Sequence, residues 1–129
     1  MPSREDDAFQ YAIWRVVPSV ERGEALNVGV VVYCRRRQFL KARVQIDEDR
    51  LRAMSPDIDL DAVRHHLDGM LRVAAGDPAA GAIAALPQSD RFGWLTAASS
   101  TIVQPSPIHT GLCDDPEAVL DRLFRRLVV

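Results

Sequence analysis

The chain has 129 residues, 47% of them apolar, and its 16 basic and 18 acidic residues leave a formal net charge of -2. That size and apolar content suit one domain with a core built without disulfides or metal, and the balanced charge excludes a global field drawing the protein to nucleic acid or an anionic membrane. Residues 1–7 are polar and lack the apolar segment of a signal peptide, and the longest apolar run, near residues 28–33, is far shorter than the roughly 20 residues that cross a bilayer, so the chain is expected to stay in the cytoplasm.

Residues 9–18 read as a first strand with two apolar faces, Phe9, Tyr11, Ile13 and Val17 on one and Ala12, Trp14 and Val16 on the other. A strand of that kind is central or covered on both sides. Residues 26–34 repeat the pattern, and Gly29 leaves a gap where another backbone or side chain approaches closely. Arg35-Arg36-Arg37 makes a basic turn. Residues 38–46 then alternate more cleanly, with Leu40, Ala42, Val44 and Ile46 inward and Lys41, Arg43 and Gln45 outward, completing an antiparallel meander. Cys34 and Cys113 read as free, partly buried thiols in a reducing compartment.

After Asp47 the period changes. A short helix over residues 47–54 breaks at Ser55-Pro56, and from Leu60 onward Val63, Leu67, Met70, Leu71 and Ala74 recur at helical spacing, with Asp57 or Asp59 as N-cap and Gly76 as stop. Asp77-Pro78 caps a weak helix through residues 79–86, which Pro87 ends. Residues 91–98 fit neither period, residues 101–104 read as a strand and residues 105–115 as a loop. The last helix has Asp115 as N-cap, Pro116 at its first position and a stripe of Val119, Leu120, Leu123, Phe124 and Leu127. The expected fold is a single α+β domain over residues 1–129, with residues 1–7 as a flexible tail. Its sheet is an N-terminal antiparallel meander plus a C-terminal strand, with two main amphipathic helices packed on it.

Two polar concentrations are candidates for function. In the turn before the second strand, Glu24 and Asn27 are placed to anchor a ligand, with Arg15 reaching them from the neighbouring strand. In the plainer alternative, Glu24 pairs with an arginine and Asn27 satisfies turn backbone groups. The second concentration comprises Ser99, Ser100 and Thr101 together with residues 104–111, where His109 lies within three residues of Ser106. A nucleophilic serine needs such an imidazole, but the strand-turn-helix elbow Gly-x-Ser-x-Gly is missing, and loops of this composition commonly cap turns. The candidate binding patch is therefore Arg15, Glu24, Asn27, Ser100, Ser106 and His109, with no residue assigned to catalysis.

No metal and no cofactor are predicted. His65 and His66 point about 100° apart on their helix, although Asp61 and His65 are four apart and could meet. The remaining soft ligands are not in close paired spacing, and no Gly-rich phosphate loop or dinucleotide fingerprint is present. Arg35 to Arg37 with Lys41 and Arg43 could touch phosphates, yet only Tyr33 and Phe39 interleave aromatics, so the triplet reads as a solvated turn and nucleic acid is not an expected partner.

The segments Tyr11-Ala12-Ile13-Trp14-Arg15-Val16-Val17-Pro18, Arg22-Gly23-Glu24 and Asn27-Val28-Gly29-Val30 resemble the opening signature of a bacterial family of small proteins, domain of unknown function 3037. Arg91-Phe92-Gly93-Trp94-Leu95-Thr96, Ser100-Thr101, Gln104-Pro105-Ser106-Pro107-Ile108-His109-Thr110-Gly111, Asp115-Pro116 and residues 120–127 resemble its closing block. The resemblance implies two polar signature regions, the Glu24/Asn27 turn and residues 100–111, and supplies no catalytic residue. It also implies an accessory role beside a kinase resembling the HipA toxin type. The expected function is a non-enzymatic interaction or accessory module that engages a partner protein. The competing reading is a small hydrolase or nucleic-acid-processing enzyme using Ser106, His109 and Glu24. Both require the hairpin mouth and the C-terminal segment to converge.

Overall fold

Two-sided apolar strands need a layer on each face, and the chain supplies both. The computed structural model describes residues 6–99 and 101–129. Strands β1 (Asp7–Val16), β2 (Leu26–Cys34) and β3 (Phe39–Val44) form the antiparallel meander, and helices α1 (Glu48–Met54) and α2 (Leu60–Ala75) follow. Next come α3 (Gln88–Leu95), the short strands β4 (Val103–Pro105) and β5 (His109–Cys113), and α4 (Pro116–Leu127). β1 is central, with β2 on one side and β4 and β5 in succession along the other.

One face of β1 and β2 places Ala12, Trp14, Val16, Val28 and Val31 against Val63, Leu67 and Met70 of α2 and Phe92 and Leu95 of α3. The opposite face packs Phe9, Val30, Val32 and Cys34 with Cys113 of β5 against Val119, Leu120 and Leu123 of α4. Each Val, Leu, Phe or Met among them, fully buried, contributes about 1.5–3 kcal/mol. Trp14 is completely buried, and its indole N–H reaches the Leu95 carbonyl at 3.1 Å, so the largest core side chain has its polar atom satisfied.

The helix ends follow their local chemistry. Asp59 accepts from the Ala62 N–H and Asp115 from those of Glu117 and Ala118, each filling donors that the first turn leaves open. Gly76 ends α2 in the left-handed conformation at φ 71°. Arg91 Nη1 then donates to the Val73 and Ala74 carbonyls at 3.0 and 2.9 Å, setting a cation on the negative end of α2 and tying α3 to it. On β3 the outward residues face α4: Lys41 and Arg43 both pair with Glu117, and Arg43 also with Asp121 at 2.9 Å. Half-exposed pairs of this kind orient α4 and contribute about 1 kcal/mol or less each.

Four parts of the chain differ from the sequence reading. Residues 105–115 are not all loop, because β5 occupies their middle; Pro105, Pro107 and Gly111 conceal a strand only five residues long. Residues 91–95 complete α3, a helix with Pro87 at its start and Gly93 inside it. Residues 79–86 form two 3-10 turns, Pro78–Ala80 and Ala82–Ala85, joined by Gly81 at φ 91°. Asp7, assigned above to a flexible tail, opens β1, and its carboxylate pairs with Arg37 at 2.7 Å and Arg36 at 3.4 Å. Residues 1–5 of that tail lie outside the described residues.

Candidate functional site

Arg15 is where the two polar segments meet. Its register places it between Asn27 of β2 and Gln104 of β4, and its Nη2 donates to the Pro105 carbonyl at 3.1 Å. Among the described residues its buried Nε has no hydrogen-bond partner. Asn27 donates from Nδ2 to the Leu127 carbonyl at 3.0 Å, satisfying an acceptor of the last turn of α4. The hairpin thereby fastens the C-terminal helix.

Ser106 closes an irregularity in the edge. Pro105 lies opposite Trp14 and His109 opposite Tyr11, so residues 106–108 span only Ala12 and Ile13 and one residue is extra. Ser106 is 8% exposed. Its N–H donates to the Ile13 carbonyl at 2.8 Å, and its Oγ accepts from the Ile13 N–H at 2.9 Å. The same Oγ donates to the Pro107 carbonyl at 2.9 Å, which engages the one proton a serine nucleophile would offer to a base. His109 is exposed and stacks on Tyr11 with ring centroids 5.1 Å apart.

Glu24 is in solvent. It accepts from Arg22 Nε at 2.7 Å, and that hydrogen bond holds its carboxyl below the ordinary carboxylate range. Tyr11, the partner of His109, is four residues from Arg15 along β1, roughly 13 Å at the usual strand rise. Folding thus joins Arg15, Asn27 and the residues around Pro105, while His109 lies farther along the same face. Ser100 lies outside the described residues. On α2, Asp61 pairs with Arg64 at 2.6 Å, and Arg64 also binds Glu48.

A concave surface lies elsewhere, between α2, α3 and β4. Two adjoining clefts of about 260 and 350 Å³ share His66, Met70 and Trp94. The first runs from Trp94 to Ala97, Val103 and Pro105, and the second from Trp94 to Val73, Ala80 and Ile83. Trp94 is 46% exposed, whereas Phe92 and Leu95 of the same helix are 4% and 0% exposed. Those two residues, three apart, share the inner side of α3, which leaves Trp94 projecting beside α2. Burial pushes the His66 pKa down, and the neighbouring His65 adds to the shift, so the cleft wall carries a neutral imidazole at pH 7. The sequence reading missed this site because residues 91–98 fitted neither period. A helical reading from Phe92 and Leu95 would have marked Trp94 as the residue left outside the core.

A family model described as a protein of unknown function (DUF3037) matches residues 11–128. The chain belongs to the DUF3037 family. Within the DUF3037 match lie most of β1, all of β2 to β5, all four helices and every residue lining both clefts. No curated protein and no solved structure matches the chain. Among the described residues, no helix is long and apolar enough to cross a membrane.

Proposed function

We propose that this DUF3037 protein is a non-enzymatic interaction module of the cytoplasm that binds a partner polypeptide by seating apolar side chains of the partner in the clefts on either side of Trp94. The exposed indole between two adjoining concavities carries this reading. Tryptophans so placed are common binding anchors, and the two clefts give an incoming chain separate seats on either side of the indole. The neutral His66 offers one donor and one acceptor at the wall, and the Asp68–Arg72 ion pair at 3.0 Å borders the second cleft.

The polar signature residues support this surface from behind. Arg15 Nη2 holds the Pro105 carbonyl and Ser106 is bonded to both polar backbone atoms of Ile13, so Pro105 is fixed where it lines the first cleft. The kinase resembling the HipA toxin type, which the sequence resemblance implies, is the partner to test first. Calorimetric titration of that kinase with the wild type and with Trp94→Ala tests the proposal. Trp94→Ala is expected to weaken binding by about 30-fold, the scale of a hot-spot residue, with its circular dichroism and melting unchanged. Undiminished binding by Trp94→Ala would refute the proposal. So would the failure of the wild type to bind the kinase or to hold any stoichiometric partner from native lysate.

A further inference from the structure

The two edges of the sheet are defended differently. β3 carries Lys41 and Arg43, the kind of charge that discourages strand pairing, and α4 packs near it. On the opposite edge, residues 105–113 include no Lys, Arg, Asp or Glu. Its β4 half ends in Pro105 and the Ser106 irregularity, both of which resist an incoming strand. The β5 half has neither device: it is five residues without proline or bulge, paired on one side to β1. Leu112 is 71% exposed on it, and Ile108 just before it is 44% exposed.

We infer that β5 pairs antiparallel with β5 of a second copy of this chain, about a two-fold axis at Gly111. Full overlap of a five-residue strand with itself fixes that register, and an isologous contact needs nothing from another protein. His109 then lies beside the partner's Cys113, and Thr110 beside the partner's Leu112. The two exposed Leu112 side chains sit diagonally across the axis, within reach of each other at about 7–8 Å between backbones. Both fall on one face of the seam because alternate residues share a face. The edge is uncharged on both sides, so it meets itself without like-charge repulsion. Gly111 cannot be enlarged to block the contact, since a Cβ there would lie 2.6 Å from the Phe9 ring. None of the paired residues 109–113 lines the Trp94 clefts, so this inference stands apart from the partner-binding reading.

Sedimentation velocity up to millimolar concentration, run on the wild type, Leu112→Lys and Trp94→Ala, tests it. The wild type is expected to show a concentration-dependent dimer. Leu112→Lys places two ammonium groups diagonally at the axis and should weaken association by about tenfold or more without changing the circular dichroism. Trp94→Ala should dimerise like the wild type. A mixture of Thr110→Cys and Leu112→Cys variants should cross-link through a short bifunctional maleimide more efficiently than either variant alone, because the register sets those positions side by side. A wild type that stays monomeric overturns the inference. Dimerisation untouched by Leu112→Lys, dimerisation lost with Trp94→Ala, or no preference for the mixed cross-link overturns it equally.

Discussion

Replacing Gly29 with alanine should damage the sheet although it adds a single methyl group. An ideal Cβ at Gly29 would lie 2.9 Å from Val44 Cγ1, 3.0 Å from Trp14 Cε3 and 3.1 Å from the Arg43 carbonyl oxygen. Val44 can turn away. Trp14 cannot, being completely buried and held by its hydrogen bond to Leu95, and the Arg43 oxygen is backbone of the paired strand β3. Overpacking of this kind costs about 1–3 kcal/mol, against which alanine recovers about 0.5–1 kcal/mol of backbone entropy. The net expectation is a loss of about 1–2 kcal/mol and a fall in Tm of roughly 3–10 °C. Gly69→Ala is the matched control. It lies inside α2 with nothing within 4 Å of the new methyl, so the same chemical change there should stabilise by about 0.5–1 kcal/mol. Urea denaturation followed by circular dichroism reads both as shifts of midpoint at constant slope. Adding Val44→Ala to the Gly29 variant should restore part of the loss only, because two of the three contacts remain. A Gly29→Ala protein as stable as the wild type would refute the close-approach argument.

Two further outcomes follow from single groups. Ser106→Ala leaves the Ile13 N–H without its acceptor in a nearly buried position, and equilibrium denaturation should show a loss of about 1–3 kcal/mol; a loss below about 0.5 kcal/mol would mean that the hydroxyl is dispensable. His66 has a pKa below its ordinary value of 6.5 because of burial and then His65, so as pH falls the unfolded chain takes up the proton first. Stability from this group is full above about pH 6.5 and declines as pH drops from there through the lower pKa of the folded state. Urea titrations at successive pH values should show that decline in the wild type and its loss in His66→Gln, and identical profiles for the two would contradict the burial of His66.

Much of the architecture was legible in the residues. The apolar run over residues 26–34 gives the bounds of β2, but the register shift beside Trp14 and Arg15 breaks its simple alternation, sending Leu26 and Val28 to one core and Val30 and Val32 to the other. Asp59, Gly76 and Asp115 mark helix ends because each performs a backbone task that only a few residue types perform. β5 was concealed because an edge strand can be short, half-exposed and preceded by prolines without violating any rule of pairing. α3 was concealed because its glycine and its short length dilute the periodicity. The candidate patch was legible only as composition. Where the Ser106 proton goes depends on a bulge in the pairing with β1, and the exposure of Trp94 depends on how α3 lies beside α2; both are tertiary facts.

β2 is apolar on both faces, and that has a consequence for folding. In a sheet with one wet face, a slip of one residue turns oily side chains outward and is rejected by water. Here such a slip would only exchange valines between two dry interiors. Shape and charge must supply the discrimination instead: the notch at Gly29 admits the Trp14 ring in one alignment, and Lys41 and Arg43 find their carboxylates on α4 in that same alignment. Filling the notch therefore threatens fidelity of strand alignment as well as the depth of the native well.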